Sequence, residues 1–90
     1  MWHELTLVAF RAARAMSASG RESTGQRMES AALAAARERE AGRTAAAAES
    51  LQEMETLLAI AAELGDVAPA ARDAVQAAIT AARTSLGSAG

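Results

Sequence analysis

Alanine fills 27 of the 90 positions in this chain, and proline fills one. Alanine gives up no side-chain entropy in a helix and is the strongest helix former, while proline breaks the helical hydrogen-bond ladder. Aromatic residues make up 2% of the sequence, so the residue types that favour strands are scarce. These proportions predict an all-α fold and argue against an all-β or α/β domain. With four helical segments in 90 residues, the expected architecture is one domain over residues 1–86, an antiparallel up-down four-helix bundle with an alanine-rich core.

The helices are read from apolar spacing. Trp2, Leu5, Ala9, Ala12, Ala13 and Met16 recur at three- and four-residue steps, which predicts a first helix over 2–18 that ends at Gly20. Arg21 to Gln26 contains Ser23, Thr24 and Gly25 with little apolar content, and reads as a loop capping a second helix over 26–41. Gly42 reads as the residue just past that helix and Thr44 as the N-cap of the next, although a single helix through Gly42 costs only about 1 kcal/mol at the glycine. The third helix, 45–64, carries Leu51, Met54, Leu58 and Ala61 on one face, with Leu57, Ile60 and Leu64 widening the arc. Gly65 and Pro69 then punctuate the chain, and a fourth helix over 69–86 precedes a flexible tail, 87–90. Short connections leave each helix only the adjacent antiparallel position.

Several function classes lose support at this stage. The acidic balance, nine Arg against eleven acids, and the lack of an aromatic ladder leave no footprint for nucleic acid. No stretch has the roughly 20 uninterrupted apolar residues of a membrane span. The start, Met1-Trp2-His3-Glu4, is unlike a secretory leader, so a cytoplasmic location is the expectation. Without cysteine and with one histidine, the usual zinc sets and the Glu-x-x-His pairs of di-metal bundles cannot be assembled. Catalysis has little to work with, since lysine and cysteine are absent and His3 has no identifiable serine and carboxylate partners. An enzyme is not expected, although His3 or a buried Glu53 remains available as a lone general base.

Eighteen large apolar residues follow Met1, six of them on the third helix and only Met28 and Leu33 on the second. A bundle of ordinary width would be underfilled. Either the helices approach closely across alanine faces, or the missing volume comes from a bound molecule, or association fills it. Leu57, Ile60 and Leu64 support the third possibility, a homo-oligomer or a partner helix, with Glu53 interrupting the seam. Charge is also uneven: residues 1–43 hold seven Arg and five Glu, and residues 44–90 hold two Arg and six acids. Surface ion pairs between neighbouring helices account for this most simply.

For the ligand-bound alternative, His3 is the one good neutral metal donor and therefore the candidate metal ligand, with Thr6 available to orient its imidazole. A flat apolar molecule such as heme or another porphyrin would then rest against Phe10, Met16, Met54 and Leu58. The competing reading makes His3 a solvated first-turn residue, Trp2 and Phe10 core or end-cover, and the methionines gap-fillers.

Regular helix lengths, short glycine-containing connections, Pro69 at a helix start, alanine at core positions and the absence of Lys, Asn, Tyr and Cys together define a pattern. A GC-rich coding bias or deliberate omission produces such an alphabet. The whole chain resembles de novo designed four-helix bundles, a class with small-molecule and porphyrin-binding members. That resemblance implies a binding scaffold for a flat apolar molecule, with self-association or partner-helix binding as the alternative.

Overall fold

Two glycines with left-handed backbones divide the second half of the chain, as their spacing predicts. In the computed structural model, which describes residues 2–89 with side chains through Gly87, Gly42 has φ +78° and Gly65 has φ +74°. Each closes a helix in the same way. Gly42 N–H donates to Arg39 O (3.1 Å) and Arg43 N–H to Glu38 O (2.8 Å); Gly65 N–H donates to Ala62 O (3.2 Å) and Asp66 N–H to Ala61 O (2.8 Å). These paired bonds satisfy carbonyls that a helix end would otherwise leave open, and they require a residue that adopts positive φ without strain.

Four helices result among the described residues. α1 spans Trp2–Arg14. α2 covers 18–40 in three consecutive parts, Ala18–Gly20, a π-helical turn Arg21–Gly25, and Gln26–Glu40. α3 spans Thr44–Glu63 and α4 spans Pro69–Ala89. No strand occurs among the described residues. α1 packs against α2 and α4, and α3 also packs against α2 and α4, so the helices follow one another round a ring. The extents of 38 × 20 × 19 Å match two helix diameters in each short direction.

Several boundaries differ from the sequence expectation. α1 stops at Arg14 instead of Ala18, because Ser17 begins the next helix: its hydroxyl oxygen accepts from Gly20 N–H (3.4 Å). Gly20 therefore lies inside α2 and not beyond α1. The expected loop over Arg21–Gln26 is helical. Ser23 Oγ donates to Ser19 O (3.0 Å), the carbonyl that its own amide would take in an α-helix, and Gln26 N–H reaches back five residues to Arg21 O. This side-chain competition accompanies the wider π turn. Thr44 is the first helical residue of α3 and Arg43 holds the cap position without a side-chain bond, since a guanidinium has no acceptor to offer the first amides. Helix α4 continues through Ala89, into the segment expected as a tail, and Gly90 lies outside the described residues.

Leu5, Met28, Leu51, Met54, Val75 and Ile79 are fully buried in one cluster drawn from all four helices. Ala9, Ala12, Ala32, Ala35, Ala47 and Ala61 are buried among them. Leu57, expected on an outer seam, is buried with this cluster. At 100° per residue Leu57 lies midway between Met54 and Ile60 around the helix, and the packing of α3 turns it inward while Ile60 stays 44% exposed. Side chains also tie the helices together. Ser50 donates to Glu38 (2.6 Å) across α2 and α3, and Ser17 donates to Asp66 (2.9 Å) between two connections.

Candidate functional site

The outer side of α1 sets Leu7 among the exposed residues His3, Glu4, Arg11 and Arg14. Leu7 is 38% exposed, and Leu33 of α2 is 44% exposed. Between α1 and α2 lies a groove of about 390 Å³ formed by Trp2, His3, Thr6, Leu33, Ala36, Arg39 and Glu40. A second groove of about 310 Å³ runs along α1 and is formed by His3, Thr6, Leu7, Phe10, Arg11 and Arg14. The two share His3 and Thr6, so they form one continuous face. Its floor is apolar and its rim is mostly cationic, through Arg11, Arg14 and Arg39.

Local chemistry fixes the upper end of this face. The Arg39 guanidinium sits 5.9 Å from the centre of the Trp2 ring, a cation–π arrangement that joins the start of α1 to the end of α2. Thr6 Oγ1 donates to Trp2 O (3.1 Å), back into its own helix. The Trp2 indole N–H is buried with no acceptor among the described residues. His3 is exposed.

A separate apolar patch occupies the end of α3. Ala59, Ile60, Glu63 and Leu64 surround about 500 Å³ of open groove, with Ile60 44% and Leu64 68% exposed. A further groove of about 490 Å³ between α2 and α3 is more polar, formed in part by Gln26, Arg27, Ser30 and Arg37, and Arg27 pairs across it with Glu53 at 3.9 Å. Glu53 is exposed in this pairing, which separates it from any buried general-base role.

On the opposite side, Glu55 of α3 accepts from Arg83 (2.7 Å) and Gln76 (2.9 Å) of α4. The Arg83 hydrogen bond, then that from Gln76, holds the Glu55 carboxyl below its ordinary range, and Glu55 in turn raises Arg83. This is an interhelical tie.

The sequence-derived site residues separate into two groups. His3, Thr6 and Phe10 line the α1 groove, whereas Met16, Met54 and Leu58 are buried in the central cluster. The structure does not bring the two groups to one surface. Thr6 directs its hydroxyl proton to a backbone carbonyl, and among the described residues no group of three or more His, Cys, Asp or Glu is placed to hold a metal. Leu7 and Leu33 were not singled out from the sequence as surface residues. The available signal was Leu7 and Phe10, three residues apart, a second apolar edge on a helix whose buried edge is Leu5, Ala9 and Ala12.

No known protein family, no characterised protein and no solved structure matches the chain. Among the described residues, no helix is long and apolar enough to cross a membrane.

Proposed function

We propose that the protein is a helical association module whose α1–α2 face receives an amphipathic partner helix. The observation that carries this reading is the continuous face on which Leu7 and Leu33 stand exposed beside half-buried Trp2 and Phe10, rimmed by Arg11, Arg14 and Arg39. A groove between two helices accepts a third by ridge-into-groove packing, and the arginine rim favours acidic flanks on the incoming helix. Covering a half-exposed leucine contributes about 1 kcal/mol at roughly 25 cal/mol per Å². Association itself costs at least about 4 kcal/mol, so both leucines and the aromatic floor must be engaged and the binding is weak and reversible.

Chain direction supports a defined docking geometry. The helices run alternately up and down in this reading, consistent with connections as short as residues 41–43 and with Trp2 of α1 meeting Arg39 of α2. Buried alanines at Ala31, Ala35, Ala47 and Ala82 support an alanine-rich core, in which small side chains let helices approach closely. Interior volume is then filled without a ligand.

The test uses a synthetic helical peptide with leucine at positions 1, 4 and 8 and glutamate flanks, titrated into the isotope-labelled protein. Amide shifts are expected within residues 2–14 and 33–40, and Leu33→Glu is expected to weaken binding at least tenfold. No shifts at saturating peptide, or shifts spread over α4, would overturn the reading.

A second reading rests on the α1 groove alone. His3, Thr6 and Phe10 line it together with Leu7, which suits a flat apolar molecule, heme or another porphyrin included, with the imidazole as its polar anchor. The molecule would lie on the outer surface and not between helices. Heme titration distinguishes this from helix docking: a shifted absorbance band that is lost in His3→Ala supports it, and an unchanged spectrum removes it.

A further inference from the structure

Among the described residues, the four exposed large apolar side chains fall into two pairs. Leu7 and Leu33 belong to the α1–α2 face, while Ile60 and Leu64 belong to the end of α3. The pairs lie on different helices and line different grooves. Trp2 beneath Arg39 borders the first face, and the Ser17–Asp66 hydrogen bond falls two residues beyond Leu64.

Charge around the two pairs is opposite in sign. Three arginines and one glutamate, Glu40, rim the first face and leave it cationic, and Glu63 lies within the second patch. The same contrast runs through the whole chain, since seven of the nine arginines precede Thr44 while six of the eleven acids follow it. Two faces that are both apolar, differ in position and carry complementary charge are suited to one another.

We infer that the helix received by the α1–α2 face is the end of α3 from a second copy of this chain. This rests on the helix-docking reading above and names its partner. Because the two surfaces differ, the contact is heterologous: each copy that docks its α3 end still presents an empty α1–α2 face at one end of the pair. Such a contact adds copies in a row unless its rotation closes a ring. The arginine–glutamate component makes the assembly sensitive to salt, whereas the leucine and isoleucine contacts persist.

Sedimentation velocity and a mixing experiment test this. The wild-type chain is expected to grow past a monomer as concentration rises, and to shrink when salt is raised from 50 to 500 mM. Leu33→Glu and the double variant Ile60→Glu/Leu64→Glu should each weaken self-association at least tenfold. Their mixture should form a one-to-one heterodimer and stop there, because one variant keeps an intact α3 end and the other an intact α1–α2 face. Milder variants, Leu33→Ser and Leu64→Gln, repeat the comparison if circular dichroism shows that a glutamate variant has lost helicity. A monomeric wild type, or an inert mixture of folded variants, overturns the inference. If the acidic leucine peptide still binds in those cases, the docking reading stands and only the second copy is ruled out. If the peptide also fails, both fall.

Discussion

Gly20 lies directly against Asp66: a β-carbon built on Gly20 would stand 2.7 Å from the Asp66 carboxyl carbon and 3.0 Å from its β-carbon. The same carboxylate accepts the Ser17 hydroxyl at 2.9 Å. α2 therefore meets the α3–α4 connection at a point where a β-carbon fits only if the Asp66 side chain moves.

Replacing Gly20 with alanine is expected to lower stability by about 1 kcal/mol, although the same change at an open helical site raises it by about 0.5–1 kcal/mol. The displaced carboxylate loses its bond to Ser17. In an Asp66→Gly background the sign should reverse, and urea denaturation of the four chains in this cycle measures the coupling. A stabilising Gly20→Ala in the wild-type background would show that the contact is slack.

Gly42 and Gly65 have open space around their missing side chains, so the cost of substitution there is purely conformational. Gly42→Ala and Gly65→Ala are each expected to destabilise by about 1–2 kcal/mol, since a β-carbon crowds the following carbonyl at positive φ. Asparagine should recover part of the loss at either position. Thermal unfolding followed by circular dichroism checks the order Gly, Asn, Ala.

Leu57 and Ile60 are three residues apart and face different surroundings, 4% against 44% exposed. Leu57→Ala is expected to cost about 2–4 kcal/mol through the cavity it leaves. Ile60→Ala should change monomer stability by about 0.5 kcal/mol or less. Equal losses in dilute solution would contradict the placement of α3.

The Glu55–Arg83 bond links α3 to α4, and it shapes the response to acid. The Glu55 carboxyl titrates lower in the folded chain than its ordinary value of 4.5. Its contribution is therefore complete above about pH 4.5 and disappears as pH falls through the lowered folded value. Partial exposure limits the size to about 1 kcal/mol or less. Glu55→Gln should flatten that part of the stability profile between neutral pH and pH 3, and Arg83→Gln should do the same.

Much of the secondary structure was legible because it depends on local chemistry. Gly42 and Gly65 ended their helices as expected, since a left-handed residue that closes two backbone bonds is a requirement of the chain itself. Pro69 opened the last helix for a similar reason. Gly20 and Gly25 looked like further punctuation, yet both sit inside α2. Gly20 is there because Asp66, 46 positions further on, approaches it, and Gly25 because the Ala13 carbonyl and the Met16 sulfur come within 3.4 Å of where its β-carbon would be.

What the sequence by itself determined, then, is that this chain is helical, where two of its turns fall, and which residues share a helix face. Periodicity sets the angles between side chains on one helix, so Leu57, Leu58 and Ile60 were correctly grouped into a broad arc. It does not set the absolute orientation of that arc when alanine makes both edges acceptable to a neighbour. Only the packing of α3 between α2 and α4 turned Leu57 inward and left Ile60 and Leu64 outside. The same step divided the expected ligand site, taking Met16, Met54 and Leu58 into the interior while His3, Thr6 and Phe10 stayed on the surface. Burial is a property of the assembled helices, because each apolar face is covered by residues distant in the chain, and no single helix carries that information.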